Sequence, residues 1–208
     1  MKHLPWILVL VLALMACNLS SKLRSNSNSS TSPASSSGNP SKIGDEPVEK
    51  PNPTAAQSEI IANGQDVKWD EQGISWKMPA NWKKQDVSKN SFTWGGDGAF
   101  MTVSISPMAD DFPTDMSLNA FQQGAKVRKK NGEVDEVKWL ELDGIRGVEF
   151  RESKTEKADD IRRLQWMTYR KFANQTQLVN FILSTSGGKF DNRSDELYAI
   201  MYSTKIVH

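Results

Sequence analysis

One thiol, two imidazoles and 25 carboxylates make up most of the reactive inventory of this 208-residue chain. The thiol is Cys17, in Leu14-Met15-Ala16-Cys17, directly behind the uncharged run Leu4 to Leu14, "LPWILVLVLAL". The imidazoles are His3, near the start, and His208, the last residue. A serine or cysteine nucleophile needs a base beside it, most often histidine held by a third group. With no histidine between His3 and His208, Ser-His-Asp and Cys-His arrangements are excluded. Most zinc chemistry, which draws on histidine and cysteine, goes with them. No metal and no cofactor are expected. Among the carboxylates, Asp110-Asp111 and Asp159-Asp160 are adjacent pairs. Glycoside hydrolysis needs two carboxyls roughly 5–10 Å apart across a cleft, whereas neighbours in polar loops serve as caps, turns and water-binding groups. Gly95-Gly96-Asp97-Gly98 lacks the lysine and the strand–helix setting of a phosphate loop and reads as a turn. Lys126, Arg128, Lys129 and Lys130 crowd the end of a helix, where they suit its dipole; phosphate or lipid-headgroup contact is their other reading. These residues make no catalytic constellation, so the chain is expected not to be an enzyme.

Cys17 has a chemistry of its own. Lys2 and His3 give a basic start, and the eleven-residue apolar run falls short of the roughly 20 residues that span a bilayer. A basic start, a short apolar core and small residues after it describe a secretory signal peptide, residues 1–16. Leucine three before, a small residue immediately before, and then cysteine resemble the lipobox of bacterial lipoproteins. That resemblance implies a diacylglyceryl thioether on Cys17, cleavage before it, and acylation, as with palmitate, of the new N-terminus. Each buried CH₂ contributes about 0.8 kcal/mol, and two or three chains anchor stably where one does not. The membrane lipid is then a partner through acylated Cys17. An ordinary signal peptide with an incidental cysteine, or a small uncleaved anchor, is the alternative. Asn18 is not the aspartate that holds enterobacterial lipoproteins at the inner membrane. The expected location is the bacterial cell envelope, on the periplasmic side of the outer membrane where the organism has two.

Charge narrows the partners. Lys2 is the only charged residue of the signal peptide, so 26 basic residues become 25 against 25 acidic ones. A neutral chain without a basic stripe is not expected to bind nucleic acid. With Cys17 consumed no disulfide forms within the chain, and the core alone must hold the fold. Residues 17–58 are rich in Ser, Asn and Pro, with Leu19, Leu23, Ile43 and Val48 their few bulky aliphatics. Such a stretch cannot offset its own ordering entropy. It is expected to be a disordered tether with a reach of roughly 35 Å, carrying a globular domain over residues 59–208.

The elements of that domain follow from periodicity. "VKWDEQGISWKMP" alternates on both sides of a Gln-Gly turn, giving two short strands stopped by Pro79. "SFTWGGDGAFMTVSIS" reads as a hairpin. "TDMSLNAFQQGAKVRKKNG" reads as a helix capped by Ser117, with Leu118, Phe121 and Ala125 on one face and Gly132 closing it. "EVKWLELDG" and "GIRGVEFRE" form a hairpin across Asp143-Gly144. "IRRLQWMTYRKFA" and "QLVNFILSTS" are long strands, the second apolar on both faces and therefore expected in the centre, covered on both sides. Leu197, Ile200, Met201 and Thr204 mark a closing helix after a Ser194 or Asp191 cap. The fold class is α+β, an antiparallel sheet flanked by helices.

Several short motifs stand in a definite order: Pro79-Ala80-Asn81-Trp82, the helix start Ser117 to Phe121, Leu142-Asp143-Gly144 through Gly147-Val148-Glu149, Phe190, and Ser203-Thr204-Lys205-Ile206. Together they resemble the PsbP/Mog1-type α/β/α sandwich over about residues 67 to 207, although Thr204 stands where phenylalanine is usual. The resemblance implies a binding or assembly module with no reaction shared across the group. Neither the photosystem role nor the Ran binding found within it carries over, since no residue set here identifies either partner.

Six tryptophans lie in the domain: Trp69, Trp76, Trp82, Trp94, Trp139 and Trp166. Most are in phase with apolar neighbours, as core residues are. Trp82 and Trp94, flanked by turns and polar residues, are the candidates for an exposed binding surface. Two readings result. In the first, a lipid-anchored, non-catalytic module holds another envelope protein. In the second, the lipoprotein binds a small ligand or glycan through exposed tryptophans.

Overall fold

Two twelve-residue strands, alternating over most of their length, form the spine of the domain. In Ile161–Phe172 the buried positions are Arg162, Leu164, Trp166, Thr168 and Arg170; in Gln175–Ser186 they include Val179, Phe181, Leu183 and Thr185. Ala173 and Asn174 join them at φ 49° and 62°, the left-handed pair whose twist matches that of paired strands. Asp97-Gly98 (φ 50° and 78°) and Asp143-Gly144 (φ 50° and 88°) make the same kind of two-residue turn.

The structure, a computed structural model, describes residues 46–208. The signal peptide, Cys17 and the tether up to residue 45 lie outside the described residues. In chain order the elements are β1 (Val48–Glu49), α1 (Ala55–Asn63), β2 (Gln65–Trp69), β3 (Ile74–Met78), β4 (Lys83–Val87), β5 (Ser91–Gly96), β6 (Ala99–Pro107), α2 (Thr114–Lys130), β7 (Val134–Leu142), β8 (Ile145–Glu152), β9 (Ile161–Phe172), β10 (Gln175–Ser186), α3 (Gly187–Tyr202) and β11 (Lys205–Ile206). Eight strands form one sheet in the order β1-β7-β8-β9-β10-β6-β5-β4. A second sheet, β11-β3-β2, has three.

The large sheet has two unequal faces. On one, α3 and the small sheet bury the larger apolar cluster, which includes Trp76, Trp166, Phe181, Phe190, Leu197 and Ile200. α1 packs on α3 and β3. On the other face α2 buries a smaller cluster of Leu118, Ala125, Val134, Trp139, Val148 and Phe150. Helices on both faces of one sheet make the domain α+β, the class expected. Each large apolar side chain taken fully out of water contributes about 1.5–3 kcal/mol.

Several expectations are corrected. The stretch from Glu46 to Ser58, assigned to the tether, carries β1 and the start of α1. Thr54 caps α1: its hydroxyl accepts from Gln57 N while Gln57 Oε1 accepts from Thr54 N. β1 runs parallel to β7, with Val48 beside Trp139, so the sheet is not wholly antiparallel. α2 begins at Thr114 rather than after Ser117, and Pro113 gives it no side-chain cap. α3 begins at Gly187, directly after β10, and not at a Ser194 or Asp191 cap. It ends at Tyr202, and Lys205–Ile206 leave it to pair with β3.

Candidate functional site

The tryptophans do not make an open aromatic surface. Trp82 is fully buried at 0% exposure and donates its indole N–H to Glu196. The turn that promised exposure, Trp82 N to Pro79 O at 3.0 Å, swings the ring inward instead. Trp94 is half-buried and stacks on Phe92, with ring centroids 6.0 Å apart and planes 5° apart. Trp69 and Trp76 also lie against Phe92, at 5.5 and 4.9 Å. The indole N–H groups of Trp69, Trp76 and Trp94 are buried without a hydrogen-bond partner among the described residues. Trp139 and Trp166 are core residues. The exposed-tryptophan surface is therefore corrected: Trp82 is fully buried, and Trp94 is half-buried against the larger apolar cluster.

What the sheet leaves open is a different surface. α2 packs on β7, β8 and β9, and no described helix covers the same face of β10, β6 and β5. Register gives that face its composition. One row runs Gln165, Ile182, Thr102, Thr93, and the next runs Met167, Asn180, Ser104, Ser91. A third places Ser184 beside the exposed Phe100. These side chains are neutral, and charge returns at the rim, with Arg163 beside Ser184 and Asp86 beside Thr93. Gln165 Nε2 donates to Asn180 Oδ1 at 2.6 Å, and the hydroxyls of Thr93 and Thr102 lie 3.4 Å apart. Cross-strand pairs of this kind fix side-chain directions on a flat sheet. Leu178 and Ile182 on this face are half-buried rather than covered, which corrects the expectation of a β10 closed on both sides.

On the opposite face, at the β1 edge, partly exposed charges converge on one buried carboxylate. Glu149 is 0% exposed. Lys138 Nζ stands 3.7 Å from Glu149 Oε1, 3.1 Å from Glu136 and 3.3 Å from Glu49. The Tyr198 hydroxyl lies 3.4 Å from Glu149 Oε1 and from Glu136 Oε2, and Arg151 donates to that hydroxyl at 3.3 Å. Glu149 Oε2 has no partner among the described residues. Burial pushes the Glu149 carboxyl up to about 7; Lys138 opposes the rise and Glu136 adds to it. Burial also works against charge on Lys138, yet Glu149 and Glu136 outweigh it and hold the amine above its ordinary range. The network ties β1, β7, β8 and α3 together at the point where the chain enters the domain.

The remaining sequence candidates are scattered. Asp110-Asp111 lies in the loop before α2 and Asp159-Asp160 in the loop between β8 and β9, all exposed. Asp97-Gly98 closes the β5–β6 hairpin, while Gly95 and Gly96 belong to β5. Lys126 pairs with Glu46, and Arg128 pairs with Glu133 at 3.3 Å and Glu152 at 3.6 Å. The open face and the Glu149 network were not singled out in the sequence. An inward-phase glutamate in "GVEF", opposite a lysine in "EVKW", was the available signal for the second.

No protein-family model matches the chain, and no curated protein matches it. Some solved structures align with about 70% of the chain. A cyanobacterial PsbP (CyanoP) from Synechocystis sp. PCC 6803 is 18% identical, with a TM-score of 0.47 over 71% of this chain and 94% of that one. The Ran-binding protein Mog1p of Saccharomyces cerevisiae is 12% identical, with a TM-score of 0.44 over 70% of this chain and 96% of that one. A Bacteroides thetaiotaomicron VPI-5482 protein is 10% identical, with a TM-score of 0.44 over 70% of this chain; the chain spans about half of its length, 49%. At these identities the likeness is one of fold alone.

Proposed function

We propose that this chain is a lipid-anchored, non-catalytic binding or assembly module of a bacterial envelope, and that it holds another envelope protein through the open face of its large sheet. One observation carries the docking face. α2 covers only half of its side of the sheet, and the other half presents Thr93, Thr102, Ser104, Phe100, Asn180 and Ile182 without a charge among them. Charge complementarity then selects the partner: an uncharged protein surface with apolar and hydrogen-bonding groups. Anionic lipid and nucleic acid would need a positive surface that this face lacks. Strands about 4.8 Å apart and residues about 3.3 Å apart make this a patch of roughly 15 by 15 Å, the size of a weak or transient contact rather than a permanent one.

The anchor rests on Leu14-Met15-Ala16-Cys17 and on Asn18 in the second position of the mature chain. Acylated Cys17 keeps the domain at the membrane, on the periplasmic side of the outer membrane where there are two. A local partner then meets the domain at high effective concentration, which suits a small contact patch. Labelled palmitate should enter the wild type and not Cys17→Ala; incorporation by that variant contradicts the anchor. Thr102→Lys and Ile182→Glu place charges on the face without touching the core. Both should abolish co-purification of the same partner from native membranes, and unchanged recovery contradicts the docking face.

A further inference from the structure

α2 presents a second open surface, on the side turned away from the sheet. Leu118, Gln122 and Ala125 face inward. The outer stripe therefore runs through Met116, Ala120, Gln123 and Val127, spaced i, i+4, i+7 and i+11 and all exposed. Met116 is 73% exposed and Val127 56%. Two large apolar side chains about three turns apart thus stand in water on one line of the helix. Gly124 lies beside that line, in the middle of α2. A Cβ built on it meets nothing within 4 Å, so no close contact within the described fold requires glycine there. Glycine weakens the middle of a helix relative to alanine, and what it permits is the close approach of another backbone.

Charge runs along α2 in one direction. Asp115 stands in the first turn, and Arg128, Lys129 and Lys130 stand in the last. Lys126 pairs with Glu46, and Arg128 with Glu133 and Glu152. Lys130 has no ion-pair partner among the described residues. Asp115 reaches Arg146 at 3.6 Å but is 89% exposed, so solvent screens the pair. This polarity suits the helix's own dipole, and for the same reason it complements an antiparallel copy of the helix.

One register serves every one of these features. With two copies of α2 antiparallel, Met116 meets Val127, Ala120 meets Gly124, and Asp115 meets Lys130. The three pairs share a midpoint at Gln122 to within half a residue. Asp115 and Lys130 also lie on one flank of the stripe, with Ala120 and Gly124 toward the other, and a twofold axis brings like flanks together.

We propose that α2 pairs with the α2 of a second copy of this chain, antiparallel about a twofold axis. Met116 and Val127 are its apolar contacts, Ala120 and Gly124 its closest approach, and Asp115 with Lys130 closes both ends. A 17-residue helix is about 25 Å long, so a single helix pair is a small and transient interface. Copies held in one bilayer meet at high effective concentration, which suits such a contact. Only that enrichment rests on acylated Cys17, and the pairing uses no residue of the row of Thr93, Thr102 and Ile182.

Full-length chains bearing two different tags, mixed in neutral phosphatidylcholine vesicles, test the pairing. They carry a photo-activatable residue at Gln123, or at the exposed Lys68 of β2 as control. Flotation of the vesicles reports the anchor by itself, and a chain that does not float is irradiated at high concentration in solution, so anchor and pairing fail separately. A product of twice the chain mass with both tags is expected from Gln123 and not from Lys68. Asp115→Lys and Lys130→Asp should each lower its yield by about fivefold or more. Mixing these two variants should restore it, because opposite charges then meet at both ends. Gly124→Leu should abolish the product. No product from Gln123, equal yield from Lys68, or a mixture no better than either variant alone would overturn the proposal.

Discussion

Trp166 occupies the space that a side chain at Gly147 would need: a Cβ built on Gly147 would lie 2.4 Å from both Cε2 and Nε1 of the indole. Trp166 is itself fixed, because its Nε1 donates to Leu140 O at 3.0 Å and its ring is fully buried. The glycine of the "Gly-Val-Glu" stretch is therefore required for room, so that β8 can pass beneath a tryptophan from β9. Gly147→Ala forces the indole or the strand to move. Overpacking of this kind costs about 1–3 kcal/mol, and urea unfolding should show at least that loss. A variant as stable as the wild type would mean that the indole repacks freely.

Glu149 gives the domain a pH dependence with a definite sign. Its carboxyl is raised in the fold from 4.5 to about 7, by burial first. A carboxyl that prefers its proton when folded favours folding in full at pH values below 4.5, and that contribution is lost as pH rises through about 7. Glu149→Gln keeps the shape and removes the titration. The wild type should therefore lose roughly 1–3 kcal/mol relative to Glu149→Gln between about pH 5 and pH 8. Chemical unfolding of both proteins across that range measures the difference. A wild type that gains on the variant as pH rises contradicts the assignment.

The domain begins earlier than composition suggests, and the Thr54–Gln57 cap is the local reason. Thr54→Ala removes the side-chain acceptor for Gln57 N, 3.2 Å away in the fold, and should cost about 1 kcal/mol. Limited proteolysis of the wild type should leave a stable core that starts at or before Glu46, which Gln122 and Lys126 of α2 hold. Early cleavage between Glu46 and Ser58 would contradict the place of β1 and α1 in the fold.

Hairpins were the most legible part of the sequence. Asp143-Gly144 and Asp97-Gly98 can adopt left-handed pairs that few other dipeptides tolerate, and the flanking alternation fixes their strands. α1 was hidden because it buries only Gln57, so it shows no apolar stripe. The Thr-x-x-Gln capping box was its single signal. β4, "KKQDV", has no alternation because it is an edge strand with exposed side chains. Trp82 was misplaced because polar neighbours speak for the backbone around it, while its own ring turns to Glu196 on α3, 114 residues away in sequence. The open face could not be read at all. Thr93, Thr102, Gln165 and Ile182 come from four strands, and only register sets them in one row.

The proposed docking face requires that row to touch a neighbour. A photo-activatable residue placed at Thr102 or at Ile182 in living cells, with Lys189 on the helical side as control, puts the question most directly. The same discrete crosslinked protein is expected from both face positions, with none from the control and loss of the product when Phe100→Glu is added. Crosslinks that arise equally from Lys189, or from neither face position, would contradict it.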